Sequence, residues 1–280
     1  MNRLDLKLQQ LSEQRRSGLV CYFTAGDPDF DTSLKLLSQV GRAGADIIEI
    51  GMPFSDPIAD GEIIQAAHMR VLASGQNLEK TLQLAEKIRE EDQHTPIVLM
   101  GYFNPILQYG IQEFIQDADA YVDALLIVDL PLEHQNSLTD VLESSGLQLI
   151  NMTTPNTDPE RLGAIGKNAT GFIYHVAANG VTGLDLQLDS HTHPIGSNGL
   201  DHNIQQKIVD LKRIFNIPIG VGFGIKTEKH VENLAGKADL VIIGSILVET
   251  LNTQGVEKTL NKIRSFAKIL RNNESFLYIT

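Results

Sequence analysis

Short apolar runs of strand length recur along this chain, each followed by a longer amphipathic stretch, and that alternation leaves few architectures open. Parallel strands cannot be joined by a tight turn, so a strand that is always followed by a helix before the next strand builds parallel βα units. The strand-like runs are Leu19–Phe23, Ile47–Ile50, Ile97–Met100, Ala124–Val128, Gln148–Met152, Gly171–Val176, Ile217–Val221 and Leu240–Ile243, eight in all. Helical periodicity predicts helices over Phe30–Ala43, Glu62–Ser74, Leu78–Glu91, Ile111–Ala118, Leu132–Ser144, Asp158–Lys167, Asn203–Phe215, Thr227–Leu234 and Ile246–Arg271. Ahead of the first strand, Leu4, Leu8 and Leu11 alternate with charged residues over Met1–Arg16, the pattern of an amphipathic helix. Eight βα units in 280 residues, with no break in composition, specify an α/β chain forming a single-domain (β/α)8 TIM barrel over 1–271. To the minimal plan it adds the N-terminal helix, an extra helix between strands 2 and 3, a lengthened loop after strand 6 and a tail over 272–280.

In such a barrel, function belongs to the loops at the C-terminal ends of the strands. The second strand carries Glu49 near that end, inside an otherwise apolar run, and no Lys or Arg lies nearby in sequence to neutralise it. A buried carboxyl must pair, raise its pKa, or take part in chemistry. Asp60 follows eleven residues later, in a loop shaped by Gly51, Pro53, Pro57 and Gly61, so two carboxylates can face one pocket. The structural alternatives are a Glu49 carboxylate capping a neighbouring N–H, and an Asp60 side chain capping the helix near Glu62, a role compatible with catalysis. After strand 1, Phe23 stands either as one wall of an aromatic pocket or in the core. Asp129, after strand 4, reads as a strand-end acid satisfied by local N–H groups.

Glycine clusters follow the last two strands: Gly222-Phe223-Gly224 and Gly244-Ser245. Phosphate is commonly held at these two positions of a barrel by bare backbone N–H groups, and glycine lets the anion come close. No lysine stands at a strand end to form a Schiff base, and no metal-ligand set stands there either. Lys226 follows the glycine loop.

The formal charge of −12 argues against a nucleic-acid surface, and no stretch is apolar enough to span a membrane. The single cysteine, Cys21, reads as a small buried hydrophobe in a reducing cytoplasm, and Met1–Arg16 has no signal-peptide apolar core.

The segment Ile48-Glu49-Ile50-Gly51-Met52-Pro53-Phe54-Ser55-Asp56-Pro57-Ile58-Ala59-Asp60-Gly61 closely resembles the signature of the tryptophan synthase alpha subunit family. Thr24-Ala25-Gly26-Asp27-Pro28, Tyr102-Phe103-Asn104-Pro105, Asp129-Leu130-Pro131 and Gly180-Val181-Thr182-Gly183 continue the likeness, which runs from the N-terminal helix to about Val248. The resemblance implies a lyase that cleaves indole-3-glycerol phosphate, with Glu49 and Asp60 as catalytic groups. It implies substrate-positioning roles for Tyr174, Phe23, Tyr102 and the mobile-loop Thr182, and it adds Gly183 to the phosphate amides of Gly222, Phe223, Gly224, Gly244 and Ser245. It further implies no cofactor in this chain, and a beta subunit carrying pyridoxal phosphate in an alpha2-beta2 heterotetramer. The expected interface is Asp56, Pro57, Asn104, Pro105 and Pro131.

Three departures stand out. Glu62 replaces a usual proline, Ala177-Ala178-Asn179 replaces a segment that commonly carries serine and arginine, and the stretch 184–202 is longer than expected. His191, His193 and His202 in that stretch form no convincing metal set, and a polar lid extension is the better reading. An alpha-like regulatory partner with little lyase activity, and a stand-alone indole-releasing lyase, remain open. Another phosphate-binding barrel is disfavoured, because the matching signature lies at the reacting end of the substrate.

Overall fold

The computed structural model describes residues 2–176, 197–222 and 224–272. Its strands are β1 (Gly18–Thr24), β2 (Ile47–Gly51), β3 (Ile97–Gly101), β4 (Ala124–Ile127), β5 (Gln148–Leu149), β6 (Asn151–Thr153), β7 (Ile173–Val176), β8 (Ile219–Gly222) and β9 (Leu240–Ile243). All neighbours are parallel, in the order β5-β4-β3-β2-β1-β9-β8-β7-β6. The two ends of that order, β5 and β6, are separated only by Ile150, whose N–H still donates to Leu125 O at 2.8 Å. Residues 148–153 therefore act as one stave, and the barrel has the eight staves expected from the sequence.

Around it lie α1 (Arg3–Glu13), α2 (Phe30–Ala43), α3 (Glu62–Ala73), α4 (Leu78–Glu91), α5 (Phe103–Tyr109), α6 (Ile111–Asp119), α7 (Asn136–Leu142), α8 (Pro159–Asn168), α9 (Ser197–Ile214), α10 (Glu228–Leu234), α11 (Ser245–Gln254) and α12 (Val256–Arg271). Side-chain caps set several starts: Asp29 accepts from Thr32 N, Asn77 from Lys80 N, and Asp158 from Arg161 N with Pro159 at the first helical position. The extra helix between the second and third strands is present as α3 followed by α4. Helix α1 closes the N-terminal end of the barrel, with Leu4 and Leu11 buried and the Asn2 amide donating to Asp123 O and Gly146 O. Among the described residues no helix is long and apolar enough to cross a membrane.

Four expectations are corrected. The helix read over Ile246–Arg271 is two helices, broken at Gly255, whose φ of +81° suits glycine. The helix read over Leu132–Ser144 begins as a 3-10 turn, Leu132–His134, before α7. Helix α9 starts at Ser197, six residues ahead of Asn203, so the end of the long segment after the sixth stave is helical. Helix α5 lies where a loop was expected: Pro105 is in its first turn, where a missing N–H costs nothing, and Asp129 Oδ1 accepts the Phe103 N–H at 2.7 Å. Asp129 is thus satisfied by an N–H from the neighbouring βα loop, not from its own. Residues 184–196, including His191 and His193, and the expected tail from 273 lie outside the described residues.

Candidate active site

Side chains alternate along each strand, so register decides which of them face the barrel interior. Tyr22 pairs in register with Glu49 and Phe23 with Ile50. Tyr22 and Glu49 therefore point inward together, while Phe23 and Ile50 point to the helix layer. Phe23 is 1% exposed and lies in the core, which corrects its assignment as a pocket wall. Tyr22 fills that place, and the two-residue period counted from Glu49 was the signal for it.

The cleft at the C-terminal mouth is lined by Tyr22, Asp60, Ile64, Met100, Tyr174, Gly224, Ile225, Lys226, Ile242, Gly244 and Ser245. The sheet makes room for two of these rings by omitting side chains. A Cβ on Gly51 would lie 2.1 Å from the Tyr22 hydroxyl, and one on Gly222 would lie 2.5 Å from the Tyr174 hydroxyl. Gly222 is thus a site-shaping residue and does not itself line the cleft.

Glu49 lies beside this cleft, 1% exposed, and neither carboxyl oxygen has a hydrogen-bond partner among the described residues. The capping alternative is excluded. Burial, reinforced by the nearby Asp60 charge, pushes its pKa from 4.5 up to about 8. A carboxyl in this state is a neutral acid near neutral pH and can deliver a proton.

Asp60 is also buried, but it is held. The Tyr102 hydroxyl donates to Asp60 Oδ2 at 2.8 Å while accepting from Ala59 N at 3.0 Å, and the Phe54 ring stacks on Tyr102 with centroids 4.9 Å apart. Burial and the Asp60 charge raise the pKa of Tyr102, so it remains a donor. The N-cap of α3 is Gly61, with no side-chain capping bond, so Asp60 does not cap that helix as expected and its carboxylate faces the cleft instead. Glu62 occupies the first turn of α3, where an acid suits the positive end of the helix dipole.

At the other side of the cleft, Gly224, Gly244 and Ser245 come together as the glycine clusters implied. Gly244 is the N-cap of α11 and offers no side-chain acceptor, leaving the first N–H groups of that helix for an anion. Lys226 joins them on the wall, so this side of the cleft has a cation as well as backbone amides. Sequence reasoning named Lys226 only as a residue excluded from Schiff-base chemistry, and the signal for its placement was its position two residues after Gly224. His68, also missed, is on the buried stripe of α3 with Ile64, Ala67 and Val71. Thr182, Gly183 and Phe223 lie outside the described residues.

On the rim, Asp56, Asn104 and Pro131 are exposed and Pro105 half-buried, whereas Pro57 is buried. Pro57 shapes the loop instead: its carbonyl accepts the Asp60 N–H at 3.0 Å. Among the described residues no group of His, Cys, Asp or Glu could hold a metal ion.

The model of the family described as tryptophan synthase alpha chain matches residues 8–275. Among solved structures, tryptophan synthase subunit alpha from Legionella pneumophila strain Paris is 32% identical, covering 98% of this chain and 100% of that one, with a TM-score of 0.86. Tryptophan synthase alpha chain from Legionella pneumophila subsp. pneumophila is 34% identical over 98% of this chain and 99% of that one, with a TM-score of 0.83. Mycobacterium tuberculosis tryptophan synthase matches at 30% identity over 97% of this chain and 99% of that one, with a TM-score of 0.85.

Proposed function

The chain belongs to the tryptophan synthase alpha chain family, and on that premise we propose that Glu49 and Asp60 together carry its lyase reaction. The enzyme cleaves indole-3-glycerol phosphate to indole and glyceraldehyde 3-phosphate, a late step of tryptophan synthesis, and passes indole to a beta subunit. Pyridoxal phosphate is the beta subunit's cofactor, not this chain's. The buried carboxyl of Glu49 beside the cleft, without a hydrogen-bond partner among the described residues, is the observation that carries the assignment.

Glu49 donates its proton to C3 of the indole ring, and the ring nitrogen becomes an iminium whose N–H is accepted by Asp60. The Glu49 carboxylate then takes the proton of the glycerol hydroxyl next to the ring. The carbonyl of glyceraldehyde 3-phosphate forms, the carbon–carbon bond breaks, and its electrons restore the indole. Glu49 ends protonated, as it began. The protonated ring is the electron sink, so the acid needs to be available near neutral pH, and burial provides that.

Gly224, Gly244, Ser245 and the start of α11 hold the phosphate, with Lys226 adding charge. Tyr22, Met100 and Tyr174 form the apolar walls for the ring. On the rim, Ile58 is 79% exposed beside Asp56, and Leu107 is 49% exposed on α5 beyond Asn104. These side chains support a beta-subunit surface there, in an alpha2-beta2 assembly working in the cytoplasm.

Indole release from indole-3-glycerol phosphate, with and without added beta subunit, tests the assignment. Turnover that rises with the beta subunit and vanishes in Glu49→Gln supports it. Equal turnover in the variant rejects it.

A further inference from the structure

His68 is a buried titratable group at this mouth that the reaction above does not use. It is 1% exposed, and its two ring nitrogens have different surroundings. Nδ1 accepts the Phe54 N–H at 3.2 Å. An accepting nitrogen carries no proton, so the proton of the neutral ring is on Nε2. Nε2 is buried, has no hydrogen-bond partner among the described residues, and lies 3.5 Å from Asp60 Oδ2, just beyond hydrogen bonding. Tyr102 donates to that same oxygen.

We infer that His68 is a positioning residue for Asp60: its Nε2–H and the Tyr102 hydroxyl converge on Oδ2, which turns Oδ1 toward the indole N–H. A small shift of α3 or of the loop over residues 52–60 closes the contact to a charge-assisted hydrogen bond. Because Phe54 N–H fixes the tautomer and the Phe54 ring stacks on Tyr102, one loop residue supports both donors. Among the described residues, Tyr22, Glu49, His68, Tyr102 and Tyr174 are the titratable groups around Asp60, with Lys226 on the same cleft. Among them His68 and Tyr102 are the donors aimed at the carboxylate. The inference rests on Asp60 as acceptor of the indole N–H.

The test compares wild type, His68→Leu, His68→Gln and Asp60→Asn in the complex with the beta subunit. It measures kcat, KM, the pH dependence of kcat/KM, and the ¹⁵N shifts of the wild-type His68 ring. The expected ring is the neutral Nε2–H tautomer. His68→Leu should lower kcat about tenfold with KM within about twofold, a loss on the scale of one hydrogen bond to a charged group. It should also move the acid limb of kcat/KM upward by about one pH unit, because a carboxylate at the site has lost a donor. His68→Gln should recover most of both, since its amide N–H reaches the same oxygen. An Nδ1–H tautomer in wild type overturns the inference. So does a His68→Leu protein whose acid limb is unmoved, whatever its kcat, because that result assigns His68 to packing. If His68→Leu does not fold, the tautomer of the wild-type ring decides. Wild-type kcat in Asp60→Asn shows that the assignment of Asp60 has failed, and the inference falls with it.

Discussion

At the N-terminal end of the barrel Asp46, Asp123 and Asp239 each stand one residue before a strand, and each accepts an N–H from the strand beside it. Leu19 N donates to Asp46 at 2.9 Å, Ile97 N to Asp123 at 2.8 Å and Ile219 N to Asp239 at 2.8 Å. Each also meets a cation: Arg16 at 2.7 Å from Asp46, Arg89 at 2.8 Å and Arg3 at 2.9 Å from Asp123, Lys212 at 2.7 Å from Asp239. At the opposite end, Glu49 is as deeply buried as Asp123 and, among the described residues, has neither an N–H nor a cation. The same residue class thus serves two purposes. Where every charge is compensated, a buried acid ties strands together; where it is not, the protein keeps a proton ready at a cost in stability.

The sharpest way to break this contrast is Glu49→Gln. General acid–base catalysis contributes about 10²- to 10⁴-fold, and Glu49 serves in both proton transfers, so kcat should fall by at least about that much. The same substitution should stabilise the protein. The folded-state pKa of Glu49, about 8, lies above its ordinary 4.5, so the folded chain retains a proton that the unfolded chain releases. Its contribution is most favourable below pH 4.5, declines as pH rises, and levels off above about 8, a change on the order of 3 to 5 kcal/mol. Denaturant titrations should therefore show Glu49→Gln gaining on wild type between those limits and holding the gain at pH 9. No gain would mean that the carboxyl is compensated after all.

Asp123→Ala should do the reverse. It strands Arg89 and Arg3 and removes the acceptor of Ile97 N–H, so urea unfolding should show a loss of about 3 to 5 kcal/mol, with the folded fraction still active. Next in size, Lys226→Met should raise KM for indole-3-glycerol phosphate about tenfold, the equivalent of roughly 1.4 kcal/mol, with kcat and stability little changed. A KM unchanged within twofold would assign phosphate binding to the amides alone. Smallest is Lys212→Ala, because that pair is partly exposed: 35% for Lys212 and 28% for Asp239. Its unfolding free energy should drop by under about 1 kcal/mol and the drop should shrink in high salt.

Much of this was legible in the sequence, and the misses have physical causes. Strands and capped helices are local: Asp29, Asn77 and Asp158 each precede a helical stripe and cap it. Helix α5 was hidden because the acceptor for its first N–H, Asp129, comes from 26 residues away and Pro105 reads as a turn. Glu49 was legible because an acid in an apolar strand has no local explanation. Tyr22 was passed over for Phe23 because its facing depends on the register with Glu49, a relation between strands. For Asp60 the spacing allows a helix cap beside the catalytic role; the Tyr102 hydroxyl, 42 residues on, gives it another partner. His68 looks like any core histidine until Phe54 and Asp60 are placed around it.

The contrast between the two ends rests on one group, and the most direct measurement is a titration of the Glu49 side chain in the folded protein. It would follow the ¹³C carboxyl resonance, identified by its absence from Glu49→Gln. A midpoint near pH 8 is the result expected of a buried, uncompensated acid that is protonated when the substrate arrives. A midpoint at or below the ordinary 4.5 would contradict it, and would mean that Glu49 is paired like the acids at the other end of the barrel.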